Sequence, residues 1–192
     1  MSIEIIKKLR AQTGLPLKDI KKAIENVGED EEKIMKFLRE QGALKAADRS
    51  SRQTNQGGIF SYVHEGRIGV MVKIMCETDF VSRSEDFREF GNDVALHVAA
   101  YQPQFVSPDQ VDPQFIATEM EIAKKQLLEE GKPENILEKI LEGKKSKLAS
   151  EVSLLSQPFI KNTDVTVNDQ LLAISQKTGE KIVIEQFVTY SL

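Results

Sequence analysis

Cys76 and His97 are the residues that could provide nucleophilic chemistry, because a catalytic cysteine needs a base within hydrogen-bonding reach. The chain has one cysteine and two histidines, so few such pairs exist. Cys76 falls on the apolar side of an alternating segment, where a buried, unreactive thiol is the usual outcome. His97 lies on or beside the apolar helical face that contains Phe90 and Val94, where a histidine is usually satisfied within the core. The pattern therefore argues against a cysteine hydrolase, which is kept as an alternative.

Metal and nucleotide sites find little support in the spacing of residues. The chain has no H-E-x-x-H and no C-x-x-C motif. Residues 143–146 read Gly-Lys-Lys-Ser but lack the leading glycine of a phosphate-binding loop. Four acidic residues cluster in sequence without the spacing or glycine of an EF-hand: Glu77, Asp79, Glu85 and Asp86. We therefore expect no metal ion and no cofactor, and interpret these carboxylates as a solvated rim.

The segment Thr78–Val81 places a carboxylate beside a large aromatic ring between two regular elements. Residues 68–77 before it alternate as a half-buried strand does, and the residues after it have apolar side chains at helical spacing. Ser82 and Glu85 have the spacing of a capping box at the start of that helix. A connector between a strand and a helix usually carries small polar residues, so the presence of the large apolar residue Phe80 requires an explanation. Either Phe80 packs under the helix as core, or it is exposed for contact with another molecule.

Three short helical patterns occupy residues 1–45. Ser2 is the candidate cap of the first, Pro16 can begin the second, and Asp30 is the candidate cap of the third, which is expected to end at Gly42. The apolar faces of the three patterns can form one small core, similar to that of a ubiquitin-associated domain. A bundle of this size is more often a binding module than a catalyst.

Residues 46–58 are polar and predict a linker, and residues 59–192 predict an α+β core. The first two strands of the core form a hairpin that turns at residues 64–67, and a closing strand lies near residues 182–188. Helical patterns fill the space between them: residues 87–101, 113–130, 132–143, 144–155 and 169–176. Strands at both ends with helices between them predict a three-stranded antiparallel sheet backed by helices.

Composition places the chain among globular proteins, with 40% apolar and 29% charged residues. No apolar run approaches the roughly 20 residues that span a bilayer, and the N-terminal pattern lacks the apolar core of a signal peptide. A single cysteine excludes an intrachain disulfide and fits a reducing compartment. We therefore expect a cytoplasmic protein without membrane contact.

Charge is unevenly shared along the chain. Residues 1–52 hold 12 Lys and Arg against 9 Asp and Glu, a net charge of +3, whereas residues 53–192 hold 14 against 21, a net charge of −7. A basic N-terminal segment can steer a protein partner that presents an acidic patch. No basic stripe with interleaved aromatic residues is present, so we expect no direct contact with nucleic acid.

Two motifs resemble the signatures of the elongation factor Ts family, the nucleotide-exchange factors of the translational GTPase elongation factor Tu. The first covers residues 5–14, which read Ile-Ile-Lys-Lys-Leu-Arg-Ala-Gln-Thr-Gly, with Asp19–Ala23 shortly after. The second covers residues 76–81, which read Cys-Glu-Thr-Asp-Phe-Val. Further matches follow in the order of the family at residues 67–70, 131–133 and 151–159.

The resemblance implies a guanine-nucleotide exchange factor that promotes GDP release from elongation factor Tu without a cofactor and without covalent chemistry. It implies partner contacts at Thr78, Asp79, Phe80 and Val81. In this interpretation Phe80 is an apolar wedge, and Asp79 is a charge that disturbs the Mg²⁺ and phosphate region of the partner. His97 resembles part of a second segment that lies near this contact.

The resemblance also implies that residues 1–45 hold the GTPase domain of the partner. The contacts it suggests in the N-terminal part of the chain are Arg10, Leu17, Lys21 and Arg49. The chain departs from the family at Lys18, which stands where an apolar residue is common, and this weakens the apolar part of the expected contact.

The chain contains one copy of the core, whereas longer relatives contain two half-cores. Short relatives can supply the second half by forming homodimers, some with a disulfide in the last strand. Phe187–Tyr190 contains no cysteine, so we expect any homodimer of this chain to be non-covalent. The main alternative to an exchange factor is a ubiquitin-associated-type adaptor that binds a protein without exchange activity.

Overall fold

The structure is a computed structural model that describes residues 3–130 and 133–192. The helices, in chain order, are α1 (Ile3–Thr13), α2 (Leu17–Val27), α3 (Glu31–Asp48), α4 (Asp79–Ser82), α5 (Glu85–Tyr101), α6 (Pro113–Glu129), α7 (Glu134–Glu151) and α8 (Val167–Thr178). The strands are β1 (Gln56–His64), β2 (Ile68–Cys76), β3 (Pro158–Phe159), β4 (Asn162–Thr166) and β5 (Val183–Ser191). Two residues for which the sequence made predictions, Ser2 as a helix cap and Lys132 as a helix start, lie outside the described residues.

A three-stranded antiparallel sheet in the order β1-β2-β5 organises the core and confirms the predicted α+β class. The hairpin between β1 and β2 turns at Glu65 and Gly66, whose φ angles are 49° and 69°. Two consecutive positive φ angles give the turn that best matches the right-handed twist of a hairpin, which explains the glycine. The alternation in β2 is also confirmed, because Val70, Val72 and Ile74 are buried together on one face.

Helix α5 covers the buried face of the sheet. The ring of Phe87 in α5 packs edge-on against that of Phe60 in β1, with ring centroids 5.7 Å apart. The next turn of α5 brings Gly91 so close that a Cβ there would lie 2.4 Å from ring carbons of Phe60. Gly91 therefore permits α5 to approach the sheet closely, and this packing defines the surface from which α4 projects.

The first three helices pack around an apolar cluster of their own, which comprises Leu9, Leu15, Ile20, Ala23, Ile24, Ile34 and Leu38. Asp30 caps α3 as predicted, because its carboxylate accepts hydrogen bonds from the backbone N–H groups of Glu32 and Lys33. The division of the chain into a binding module, a linker and an exchange core stays a prediction.

Helix α3 is longer than the sequence predicted. It continues through Gly42 to Asp48, and Gly42 faces α8, where a Cβ would lie 2.9 Å from Oε1 of Gln176. The glycine therefore marks a close helix contact and does not end the helix. Arg49, the next residue after α3, donates from Nη1 to the carbonyl oxygen of Ser175 at 3.0 Å.

Two further details of the core differ from the sequence prediction. Residues 134–151 form the single helix α7, not two helices that meet at Gly143, because one exposed glycine lowers helix stability by only about 1 kcal/mol. The sequence patterns also missed the small hairpin of β3 and β4, which precedes α8. These strands are 2 and 5 residues long, too short to give a clear alternation.

Candidate functional site

Thr78–Ser82, here called the Phe80 turn, is a single turn of helix that follows β2 directly. Thr78 is its cap, and Thr78 Oγ1 accepts a hydrogen bond from the backbone N–H of Val81 at 3.4 Å. The predicted capping box of Ser82 and Glu85 is wrong, because Ser84 caps α5 by accepting from the N–H of Phe87. The Ser82 hydroxyl instead donates to the carbonyl oxygen of Asp79 inside the turn.

The Phe80 side chain is 83% exposed, so the interpretation that it belongs to the core is wrong. Its neighbour Val81 is half-buried and packs against the core cluster that contains Phe87, which attaches the turn to the molecule. A helical turn points adjacent side chains in different directions, so burial of Val81 leaves Phe80 facing solvent. An exposed aromatic ring on an anchored turn is suited to insertion into an apolar pocket of another protein.

Asp79 is partly exposed beside Phe80 and forms an ion pair with Arg83, one turn later, at 3.4 Å. The Arg83 side chain is 74% exposed, and an exposed pair of this kind contributes little to stability. The carboxylate of Asp79 is therefore free to exchange Arg83 for a group on a partner. The Phe80 turn thus presents an apolar ring and an acidic group together, as the sequence suggested.

A residue that sequence reasoning missed, Glu180, contacts the base of the turn. Its carboxylate accepts from the backbone N–H groups of Glu77 and Thr78 at 3.1 Å each, and from Thr78 Oγ1 at 2.6 Å. Glu180 lies between α8 and β5, about one hundred positions further along the chain. No local pattern could have related the two segments.

Cys76 is buried at the end of β2, and its Sγ donates to the carbonyl oxygen of Thr78 at 3.2 Å. Burial, and then the nearby carboxylate of Glu180, raise the pKa of the thiol to about 11. At neutral pH such a cysteine stays protonated and is a poor nucleophile. The geometry therefore gives no support to the cysteine hydrolase alternative.

His97 is completely buried in α5, and its ring is stacked with those of Tyr101 and Phe159. The backbone N–H of Ile160 donates to Nδ1 at 3.2 Å, so the neutral ring carries its proton on Nε2 and donates it to Oε1 of Gln157 at 3.0 Å. His97 thus connects α5 to the hairpin of β3 and β4. Its side chain offers no surface to a partner in this arrangement, and its assignment as a second contact stays a prediction.

The burial of His97 predicts a pH-dependent stability. Burial lowers the pKa of His97 below the usual 6.5, so the unfolded chain binds the proton more readily. Stability is fully present above pH 6.5 and is lost as the pH falls from 6.5 to the lowered pKa, by at most about 1.4 kcal/mol per pH unit. Denaturation curves of the unsubstituted chain and of His97→Gln, measured at several pH values, check this. An equal slope in both proteins over that interval contradicts it.

The candidate residues of the N-terminal part do not form one surface. Arg10 in α1 and Lys21 in α2 are exposed, and Leu17 at the start of α2 is 40% exposed. Leu17 and Lys21 are four residues apart, so both lie on one face of α2. Arg49 differs from these, because its guanidinium binds the carbonyl oxygen of Ser175 within the chain. The structure therefore gives Arg49 a role in joining α3 to α8, and a partner contact at this position stays a prediction.

Within residues 3–130 and 133–192, no cluster of three or more His, Cys, Asp or Glu side chains is arranged to hold a metal ion. In the same described ranges, no helix has the length and apolarity needed to cross a membrane. The best-defined candidate site is the Phe80 turn, which carries the exposed side chain of Phe80 and the partly exposed side chain of Asp79 on a hydrogen-bonded base.

Comparison with known proteins agrees with the motifs. The family model for elongation factor Ts matches residues 4–192. The elongation factor Ts of Desulforamulus reducens is 46% identical over 193 residues, which cover 100% of this chain and 89% of the relative. That of Rubrobacter xylanophilus is 46% identical over 191 residues, or 99% of this chain and 98% of the relative. The chain belongs to the elongation factor Ts family, whose members are translation elongation factors.

Proposed function

We propose that this chain is a guanine-nucleotide exchange factor that promotes GDP release from elongation factor Tu during polypeptide elongation. The observation that carries the proposal is the exposed ring of Phe80, beside Asp79, on an anchored turn in a chain of the elongation factor Ts family. We place this action in the cytoplasm, without direct contact with nucleic acid. The exchange involves no covalent step on this chain.

The mechanism follows from how a GTPase holds its nucleotide. Phosphate contacts and Mg²⁺ fix the nucleotide, and switch segments are ordered around the ion. Insertion of Phe80 between elements of the partner separates groups that bind the nucleotide, and Asp79 adds a negative charge near the ion. Burial of the Phe80 ring supplies the free energy, because the ring is 83% exposed before binding. Binding to the partner and binding of the nucleotide then weaken each other by the same factor.

Residues 1–45 form the affinity module in this proposal, residues 46–58 connect it, and residues 59–192 form the exchange core. The exposed face of α2 at Leu17 and Lys21, with Arg10 in α1, supplies the N-terminal contact. The net positive charge of residues 1–52 supports this, because an acidic patch on the partner would steer the encounter. Thr78 and Val81 fix the turn, and Phe80 and Asp79 are its outward contacts.

Release of labelled GDP from purified elongation factor Tu tests the proposal. Catalytic amounts of this chain are expected to accelerate release, and the acceleration is expected to saturate with concentration. Release at the intrinsic rate despite complex formation would instead support the ubiquitin-associated-type adaptor. A calorimetric titration under the same conditions separates that outcome from a failure to bind.

A non-covalent homodimer is the second part of the proposal. The face of the sheet away from α5 carries exposed apolar side chains from all three strands: Ile59, Val63, Met71, Val188 and Tyr190. The strand register places them on one side, since Met71 pairs with Val188 and Val63 is opposite Gly69, which pairs with Tyr190. The same face carries Ser61, Lys73 and Gln186, so its apolar part is centred on Met71, Val188, Val63 and Tyr190. An exposed apolar patch of this kind favours burial against a second copy of the sheet.

The proposed homodimer predicts the molecular mass of the protein in solution. Light scattering after gel filtration is expected to give twice the mass of one chain, and Met71→Lys is expected to give the mass of a single chain, because it places a charge at the centre of the apolar face. Ile122→Lys in α6 is the matched control, since Ile122 and Met71 are 46% and 47% exposed. A single-chain mass for the unsubstituted protein at every concentration contradicts the dimer.

A further inference from the structure

Glu180 holds the base of the Phe80 turn with three hydrogen bonds. One carboxylate oxygen, Oε2, accepts from two successive backbone N–H groups, those of Glu77 and Thr78. The other oxygen, Oε1, accepts from the hydroxyl of Thr78. All three donors lie between the last residue of β2 and the first residue of α4. The carboxylate therefore fixes the chain direction at the point where the turn begins.

The position of Glu180 is itself constrained. It follows Gly179, which ends α8 in the left-handed conformation at φ 78°. The carbonyl oxygen of Glu180 accepts a hydrogen bond from the hydroxyl of Ser175, and its N–H donates to Oγ1 of Thr178. Both of these partners belong to α8. The carboxylate thus transmits the position of a twelve-residue helix to the Phe80 turn.

A second glutamate makes the reciprocal contact. Glu77 Oε1 accepts from the backbone N–H of Lys181 at 2.6 Å, so each segment binds the backbone of the other. This hydrogen bond, and then the guanidinium of Arg52, lower the pKa of Glu77. Lys181 also donates from Nζ to the carbonyl oxygens of Ser50 and Arg52. The same junction therefore fastens the chain that leads from α3 to β1.

The Phe80 turn depends on this junction, as well as on the packing of Val81, for its direction. An isolated helix of four residues is not stable, and α4 contains no fully buried side chain. Its cap is the Thr78 hydroxyl, which donates to Glu180 and accepts from the N–H of Val81. The Thr78 hydroxyl has one proton and donates it to Glu180, so the lone pairs of Oγ1 are directed toward the turn and can accept from it.

We infer that Glu180 is a positioning residue for exchange: it holds the Phe80 turn in the one direction in which Phe80 can enter a partner. That this positioning serves nucleotide exchange rests on the proposed function, whereas the positioning itself rests on the hydrogen bonds. Holding the turn rigid before binding lowers the entropic cost of inserting Phe80. In this inference Glu180 acts through the turn and has no contact of its own with the nucleotide or the partner.

The positioning is tested first without the partner. The chain contains no tryptophan, so Phe80→Trp provides a single fluorescent reporter on the turn. Adding Glu180→Gln replaces one acceptor oxygen by an NH₂ group, and the amplitude of fast, local anisotropy decay is expected to rise about twofold. Glu185→Gln is the matched control, because Glu185 pairs with Lys73 at 2.8 Å away from the turn. An unchanged decay with Glu180→Gln overturns the inference.

The second test measures exchange. Glu180→Gln is expected to lower the maximal rate at saturating protein by about tenfold, with little change in the half-saturating concentration, because a charge-assisted contact is lost but the N-terminal contact is kept. In a Phe80→Ala background the same change is expected to have almost no further effect. If the double variant instead slows exchange by the product of the two single effects, the inference is overturned, since Glu180 would then act through something other than Phe80.

Thr78→Val provides a second variant, which leaves the Glu180 carboxylate intact but removes both the contact between Thr78 Oγ1 and Glu180 and the cap of α4. It is expected to show the same increase in local motion, and a rigid reporter in this variant overturns the inference. The exchange proposal and the positioning inference can be rejected independently of each other. If the unsubstituted chain leaves GDP release at its intrinsic rate, the exchange proposal fails, and the anisotropy decay still decides whether Glu180 positions the turn.

Discussion

Phe80→Ala is expected to slow GDP release by about one to two powers of ten at subsaturating protein, because burial of a phenylalanine ring contributes roughly 1.5–3 kcal/mol. The free energy of unfolding is expected to change by no more than about 0.5 kcal/mol, since the ring is 83% exposed in the free protein. One denaturation curve and one kinetic trace for each protein measure both quantities.

Phe87→Ala is the matched control for this prediction. Phe87 is the same residue type, seven positions later, and is completely buried against Phe60. Its truncation is expected to cost about 3–5 kcal/mol of unfolding free energy, so the two phenylalanines are expected to differ by several kcal/mol in their effect on stability. If Phe80→Ala instead lowers the melting temperature and leaves exchange normal, the proposed role of Phe80 as an apolar wedge is contradicted.

The second large effect is expected on α2. Leu17→Asp combined with Lys21→Glu removes an apolar contact and reverses a charge on the face assigned to the partner. The dissociation constant for elongation factor Tu is expected to rise about 10- to 100-fold, the range that corresponds to burial of one leucine. The exchange rate at saturating protein is expected to change little, because the Phe80 turn is intact. Calorimetry and saturation kinetics measure the two quantities.

A control with the same chemical changes lies on α3. Leu44→Asp with Lys36→Glu also alters one exposed leucine and one exposed lysine, and Leu44 is 60% exposed. We expect the control to leave the dissociation constant within about threefold of the original, in line with the small coupling of charges outside a contact. Equal weakening by both pairs would assign the effect to charge alone and reject the specific contact at α2.

The sequence by itself determined those parts of the protein that depend on neighbouring residues. The alternation of Val70, Val72 and Ile74 predicted β2, and the adjacent glycine predicted the hairpin turn, because both follow from local backbone geometry. Asp30 predicted the start of α3, since a cap needs only the next three residues. The motif Cys76–Val81 and the family resemblance indicated where to look for the site.

Only the tertiary structure decided how that site is built. Gly42 and Gly143 are both inside helices, because packing against α8 and the low cost of a single glycine outweighed the local tendency to end there. The sequence was compatible with a buried or an exposed Phe80. Phe80 is exposed because the neighbouring Val81 is the residue that packs against the core. Glu180 reaches Thr78 only because β5 pairs with β2, and a contact between residues one hundred positions apart leaves no local pattern.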